Sequence, residues 1–516
     1  MLSSSRQQEA SKTLPVRQKN ALCSFRGVLS LIGATTFLLS GCAVGPRYSK
    51  PASTSPSAYK EEPEGWRTAQ PSDQIAKGKW WEIYQDPQLN SLEEKINVSN
   101  QTLKASVAQY DQARAQVKIN RADYYPTVTA GASGTQNRTS ENRALASNVI
   151  PQNYGDIQMP TVSVSWEPDL FGRVRKTVEA ARETAQASAG DLENVSLSLH
   201  AALASDYLQL RTLDAESQLL NDTVKTDEKA LQLTQNRYTG GLASAVDVAQ
   251  AQTTLETTRA QAIDVKVARQ QLEHAIAVLV GEPASAFSLP FFPWTAAPPV
   301  IPPGLPSDLL ERRPDIAAAE RRVAAANAQI GVARAAYFPS LSVTGLGGWE
   351  SSTLSNLLAG PSGFFSVGAS AAITAFDVGR RRGLSEQAQA AYRQTEANYQ
   401  QTLLLAFQEV EDNLVALRVL QDEAQTQQAA VAASENSLRL SENRYKGGVT
   451  NYLEVTTAQG IALSNERTLV QILSRRMTAS VQLIQALGGG WDVSQLPNAS
   501  LPPISPGKAQ NASGTP

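Results

Sequence analysis

With 516 residues, 42% of them hydrophobic and 18% charged, the chain is long enough for two or three domains and apolar enough for a sizeable core. A formal net charge of −2 gives no electrostatic basis for holding nucleic acid or an acidic membrane face. Two cysteines, Cys23 and Cys42, and two histidines, His200 and His274, are too few and too scattered for a disulfide framework or a zinc pattern. The charged share is below the usual quarter or so. Alanine, glutamine, serine and threonine fill the gap, which suits surfaces packed on other helices or lining water.

Arg17, Lys19 and Arg26 precede an apolar run over 27–39, too short to span a bilayer as a helix and matched to a signal-peptide core. Leu39-Ser40-Gly41-Cys42 follows and resembles a bacterial lipobox, in which the chain is cleaved before the cysteine and the cysteine thiol is acylated. By that resemblance 1–41 is a lipoprotein signal peptide and Cys42 a lipid anchor. By resemblance to other lipoproteins, Ala43 in place of an aspartate favours the outer membrane over the inner.

The chain reads as a duplication. Asn236-Arg237-Tyr238-Thr239-Gly240-Gly241 recurs 207 residues on as Asn443-Arg444-Tyr445-Lys446-Gly447-Gly448. The same offset relates Gly172-Arg173 to Gly379-Arg380 and Gly281 to Gly488. Tyr125-Pro126 and Phe338-Pro339 are 213 apart, so the first copy carries six extra residues before its Gly-Arg. The implied order is an N-terminal segment over 42–87, a first repeat over 88–288, a proline-dense crossover over 289–308, a second repeat over 309–490 and a tail over 491–516. The crossover cannot continue a helix. The Pro/Ser/Gly-rich end of the tail predicts disorder.

Within each repeat a helix comes first. From Gln88 to Asp123 neither Gly nor Pro occurs, and Leu89, Leu92, Ile96, Leu103 and Val107 recur at helical spacing. Its counterpart opens with Pro314 at the first helical position. The period then drops to two: Val162, Val164 and Trp166 alternate with polar residues, and Phe365, Val367, Ala369, Ala371 and Ile373 with small or polar ones. Thr127-Val128-Thr129 and Leu341-Ser342-Val343-Thr344 behave alike. Four strands result, in β-hairpins over about 124–170 and 338–377, each strand about ten residues and so of transmembrane length. Helical hairpins follow over about 174–282 and 380–488. In the second, Leu403, Phe407, Val410, Leu414 and Leu417 form a coiled-coil seam. Roughly 60 residues at about 1.5 Å each reach about 90 Å.

Four amphipathic membrane strands cannot close on themselves, and an open edge in lipid leaves backbone groups unsatisfied. Closure must come from other copies: two give eight strands with a filled interior, three give twelve with room for a lumen. Physics alone does not choose between them. Enzyme readings lack parts, since the chain has neither a GxxxxGK[ST] loop nor a GxSxG elbow, and the Glu167/Asp169 pair has no partner base. The expectation is no catalysis and no cofactor.

Tyr125-Pro126, Trp80-Trp81 with Asp86-Pro87-Gln88-Leu89, Glu311-Arg312-Arg313-Pro314-Asp315-Ile316, Asp169-Leu170-Phe171-Gly172-Arg173 and Arg444-Tyr445-x-x-Gly448 closely resemble the outer-membrane factor family, in its lipoprotein branch. The likeness runs from Cys42 to about Leu496. It implies a homotrimer with a 12-stranded β-barrel and a periplasmic α-helical barrel. It also implies partnership with a periplasmic adaptor (membrane fusion protein) and an inner-membrane pump of the resistance-nodulation-division type. The role implied is an exit duct for drugs or other small molecules, lipid-anchored in the outer membrane and reaching into the periplasm. Tyr238, Gly240, Gly241, Tyr445, Gly447 and Gly448 at the hairpin turns are the expected adaptor-docking surface. The glycines also serve simply to stop helices. Arg444, Leu453, Glu454 and Asp247 are the expected periplasmic gate, with Arg444 in a closing link and Leu453 in an apolar constriction. Several relatives carry an acid where this chain has Thr457; Glu454 or Asp247 is left to supply charge there. His200 aligns with Phe407 and reads as a packing residue.

Overall fold

A computed structural model describes residues 44–52, 56, 58–61, 79–138, 140, 153–294, 297–301 and 309–497. The signal peptide, Cys42, the end of the tail, part of the crossover and much of the first strand-to-strand loop lie outside the described residues. The chain divides into two compact units.

The first unit holds a four-stranded antiparallel sheet in the order β1 (Thr127–Arg138), β2 (Asn153–Trp166), β3 (Ser340–Ser351) and β4 (Gly363–Ala372). All four strands were expected, but β2 starts earlier than its alternation showed. A register shift between Gln158 and Thr161 lets the ladder continue past Pro160 to Asn153. The register sorts the side chains. Thr127, Thr129, Ser163, Ser165, Ser342, Thr344 and Ser370 share one face, where Thr129 and Ser163 hydroxyls lie 2.5 Å apart and those of Ser342 and Ser370 2.8 Å apart. Val128, Val162, Val164, Val343, Val367 and Phe365 share the other. Every side chain of β1 is exposed, and β4 is nearly as open. Tyr125, Trp166, Tyr337, Phe338 and Phe376 crowd one end of the sheet, with Trp349 and Phe365 at the other. Trp166 Nε1 donates to Tyr124 O at 3.0 Å, and the Phe171 and Phe338 rings stack at 5.0 Å.

The closing turn of β2 explains its carboxylates. Glu167 takes a two-point bond from Arg173, at 2.9 and 2.8 Å, and Asp169 accepts from the amides of Val174 and Arg175 at 3.1 and 2.7 Å. Both acids are structural caps.

The second unit is helical: α1 (Pro87–Ser99), α2 (Gln101–Ala122), α3 (Arg173–Thr239, its first residues counted with the sheet), α4 (Ala245–Leu279), α5 (Pro314–Ala335), α6 (Arg380–Lys446) and α7 (Tyr452–Ala486). The long helices α3 and α6 both have 67 residues, and the return helices α4 and α7 both have 35, which is the duplication made physical. The first helix departs from expectation by breaking at Asn100. This residue adopts extended backbone, caps Leu103 N at 2.9 Å and donates from Nδ2 to Leu279 O at 2.8 Å.

Caps account for the sequence motifs. Asp86 accepts from Gln88 and Leu89 amides at 2.8 and 3.1 Å, Pro87 occupies the first helical position, and Tyr207 Oη donates to the other Asp86 oxygen at 2.6 Å. Arg313, before Pro314, binds Asp315, Glu409 and the carbonyl of Ala486. Leu89, Ile96, Leu203, Tyr207, Ile276 and Tyr399 fill the core between these helices. Of the predicted seam, Leu403, Val410 and Leu414 are buried, with Phe407 and Leu417 packed beside them. The crossover is held by a buried guanidinium: Arg211 donates to Pro290 O and Gln88 Oε1, both at 2.7 Å, and pairs with Asp214 at 3.1 Å.

The repeated glycines end both return helices at positive φ, +74° at Gly281 and +91° at Gly488. A Cβ on Gly281 would sit 2.5 Å from Ser99 O, and one on Gly488 2.0 Å from Arg312 O. Both strain and a backbone collision oppose any side chain. Gly488→Ala should therefore cost about 1–3 kcal/mol or more and lower the thermal unfolding midpoint of the purified protein; an unchanged midpoint would refute the packing assignment.

Candidate functional site

The hairpin turns lie in the helical unit, and each is built by the same backbone chemistry. At the first, Gly241 N bonds Tyr238 O at 3.0 Å and Leu242 N bonds Arg237 O at 2.7 Å; at the second, Gly448 N bonds Tyr445 O at 3.0 Å and Val449 N bonds Arg444 O at 2.9 Å. This is the paired bonding of a left-handed helix stop. Gly241 and Gly448 take φ of +73° and +74°, so they are the residues that need to be glycine; Gly240 and Gly447 need no left-handed backbone.

The side chains break the repeat symmetry. Arg237 Nη1 donates to Lys446 O at 3.0 Å, and its guanidinium lies 4.8 Å from the centre of the Tyr445 ring. Tyr445, 4% exposed, meets Tyr452 edge-on at 5.2 Å in a small core with Ala251 and Val455. Burial, aided by nearby acids, pushes the Tyr452 hydroxyl up to about 12. Tyr238, the repeat partner of Tyr445, is 50% exposed. The expectation that both tyrosines form a docking surface is thus corrected for Tyr445, whose ring is spent on joining the two hairpins.

Asp247 is corrected likewise. It closes a capping box with Ser244, at 2.9 and 3.1 Å, and its second oxygen accepts from Tyr452 N at 3.4 Å. Buried in these contacts, it is not offered to Arg444. Arg444 instead lies 3.4 Å from Glu454, which also takes a 2.6 Å bond from Thr450 Oγ1. Leu453 is 52% exposed, and Val449, Leu242 and Val246 are still more open. The two turns therefore present apolar side chains to the surroundings beside two partly exposed ion pairs, Arg444–Glu454 and Lys446–Glu442, the latter at 3.1 Å.

Below the turns a second polar joint ties three helices. Asp227 on α3 accepts from Thr258 Oγ1 on α4 at 2.8 Å and from Gln459 Nε2 on α7. Arg237 and Asp227 are the residues that sequence reasoning missed. Arg237 stood inside the repeated motif, but nothing there distinguished it from Arg444. His200 is buried as expected of a packing residue, yet it also bonds Glu93 at 2.6 Å. His274 is exposed on α4. Among the described residues no cluster of His, Cys, Asp and Glu can hold a metal ion, and no helix is long and apolar enough to cross a membrane.

A sheet with one hydroxyl-bearing face, one apolar face, aromatic ends and two unpaired edges is a segment of a membrane β-barrel. Joined to very long helical hairpins, it defines a channel-forming class of outer-membrane protein. The family model for outer membrane efflux proteins matches residues 92–282 and 305–489. The toluene efflux pump outer membrane protein TtgC of Pseudomonas putida is 33% identical over 469 residues, covering 90% of this chain and 96% of that protein. Outer membrane protein OprJ of Pseudomonas aeruginosa is 32% identical over 468 residues, with 90% and 96% covered. The solved structure of the outer-membrane channel OprN superposes with a TM-score of 0.79 at 29% identity, over 87% of this chain and all of that one. The chain belongs to the outer membrane efflux protein family. It is an outer-membrane efflux channel, not an enzyme.

The Arg237 clamp makes a direct test possible. Arg237→Ala removes the bond to Lys446 O and a cation–π contact of about 0.5–1 kcal/mol, so amide exchange at both turns should rise several-fold while the sheet is unaffected. Unchanged exchange at 443–452 would show that the hairpins are held otherwise.

Proposed function

We propose that three copies of this chain close a 12-stranded barrel and form the passive exit duct of a tripartite efflux pump. The observation that carries this reading is the open sheet: β1 and β4 are unpaired edges, and lipid offers their amides no partner. Edge pairing of β1 in one copy with β4 in the next is head-to-tail and closes as a ring. The hydroxyl face then lines the lumen and the valine-rich face meets lipid. The helical hairpins continue the conduit into the periplasm. Such a wet tube selects weakly, so cargo choice rests with an inner-membrane pump of the resistance-nodulation-division type, reached through a periplasmic adaptor.

The turns divide the remaining work. Tyr238, Leu242 and Val246, open and apolar around Gly240 and Gly241, suit docking of the adaptor, with Gly447, Gly448 and Val449 beside them. Arg444, Glu454 and Leu453 suit a periplasmic gate: three leucines near the axis disfavour hydrated passage, and the arginine–glutamate links hold the hairpins. Each half-exposed link contributes about 0–1 kcal/mol. Arg444→Ser with Leu453→Ala should therefore open the gate without unfolding the tube, raising conductance in planar bilayers severalfold and admitting large antibiotics such as vancomycin to cells. Wild-type conductance from correctly assembled double mutant would place the gate elsewhere.

Cys42 is the proposed acylation site, the lipobox being the motive. Val44, two residues on, donates to Phe171 O at 3.2 Å, beside the aromatic end of the sheet, where an acyl chain can enter the leaflet. Cys42→Ser should abolish metabolic labelling with palmitate; persistent labelling would remove the assignment.

A further inference from the structure

Glu93 and His200 are, respectively, fully buried and 5% exposed in the core between α1 and α3, and the channel reading uses neither. His200 Nδ1 lies 2.6 Å from Glu93 Oε2, and Nε2 lies 3.3 Å from Asn97 Oδ1. Trp81 stacks on the imidazole, with ring centres 4.5 Å apart and planes 19° apart. These contacts fix a proton count. Asn97 Oδ1 accepts, so Nε2 carries hydrogen. Between Nδ1 and Oε2 there is room for one hydrogen: two would collide, and none would set two lone pairs against each other at 2.6 Å.

We propose that this one shared proton locks the joint between α1 and α3, and that alkaline conditions open the joint by removing it. Among the described residues nothing nearby compensates a bare carboxylate. One turn away on α1 stand Leu89, Asn90, Ile96 and Asn97, and on α3 Ser196, Leu197, Leu203 and Ala204, all uncharged. Lys79 is paired with Glu94 at 2.6 Å and Lys95 with Glu282 at 2.8 Å, both on the surface, while Glu273 is held by Arg269. Glu82 is exposed. Farther along α3, Glu193 and Asp206 are carboxyls whose pKa values burial raises, so they supply no positive charge.

The sign follows from linkage. Burial holds His200 down at about 4 and pushes Glu93 well above the carboxylate range, from ordinary values of 6.5 and 4.5. Between pH 4.5 and 6.5 the open joint carries one proton, as glutamate and imidazolium, and the closed joint also carries one. Closing is then independent of pH. Above 6.5 the open joint loses its proton while the closed joint keeps it. Opening therefore increases by up to about tenfold per pH unit until the closed pair itself deprotonates.

Amide hydrogen exchange of the full-length protein in detergent, corrected for intrinsic rates, reads this equilibrium in the peptides of α1. Opening should be flat between pH 5 and 6 and should climb toward about tenfold per unit above 6.5. Glu93→Gln places a carboxamide donor on Nδ1 without a titratable proton, so it should keep the protection and abolish the slope. A wild type without a slope, or a Gln variant that retains the wild-type slope, overturns the proposal. If the variant fails to assemble, exchange of the histidine C2 hydrogens in the wild type decides. His200 should keep exchanging faster from pH 5 to 8 without levelling off, with His274 read in the same digest; a His200 rate that levels off around its ordinary 6.5 contradicts the lock.

Discussion

A backbone amide that faces hydrocarbon without a partner costs several kcal/mol, and this single constraint organises the molecule. The sheet has four strands and two bare edges, with side chains exposed on both faces. Water would not hold such a ribbon together, and lipid would not tolerate its edges. Only a closed ring satisfies every amide, gives the valine face a lipid solvent and gives the hydroxyl face a wet lumen. On the proposed reading, assembly is a condition of folding in the membrane.

The helical unit answers to a different economy. Here burial is internal, so the helices are positioned by caps and buried polar joints. Asp86 and Arg313 bind backbone ends where helices start, and Arg211, midway along α3, holds the crossover. A long helix that must also serve as a wall needs such fixed points, because its outer face is free to slide. The hairpin turns repeat the idea with Arg237 riding on Tyr445. The same repeat leaves Tyr238, Arg444 and Leu453 exposed. Arg237 of the first copy and Tyr445 of the second hold the two turns together.

Much of this was legible in sequence because it is periodic or local. The 207-residue offset foretold two helix pairs of equal length, and the 4-3-4-3 spacing around Leu403 and Val410 foretold a packed seam. Alternation around Val162 and Val367 foretold strands. What escaped depended on partners distant in sequence. The break at Asn100 is settled by Leu279 O, and the difference between Tyr238 and Tyr445 by Arg237 and Tyr452 from the other turn. Asp247 looked like a free surface acid until its capping box and Tyr452 N claimed both oxygens. The aromatic ends of the sheet were visible as Trp166, Tyr337 and Phe338, but only the strand register gathers them into one band.

The central claim, that copies close one another's edges, can be tested most directly by disulfide trapping between β1 and β4. Within one chain these strands are separated by β2 and β3, about 14 Å at normal strand spacing, too far for a disulfide. Cysteines introduced in turn along β1, each combined with one at Ser370 on β4, should give covalent dimers and trimers in intact outer membranes at the positions that come into register. No larger species should form. The account is contradicted if every pair yields only monomers, or if cross-linking runs on beyond three chains.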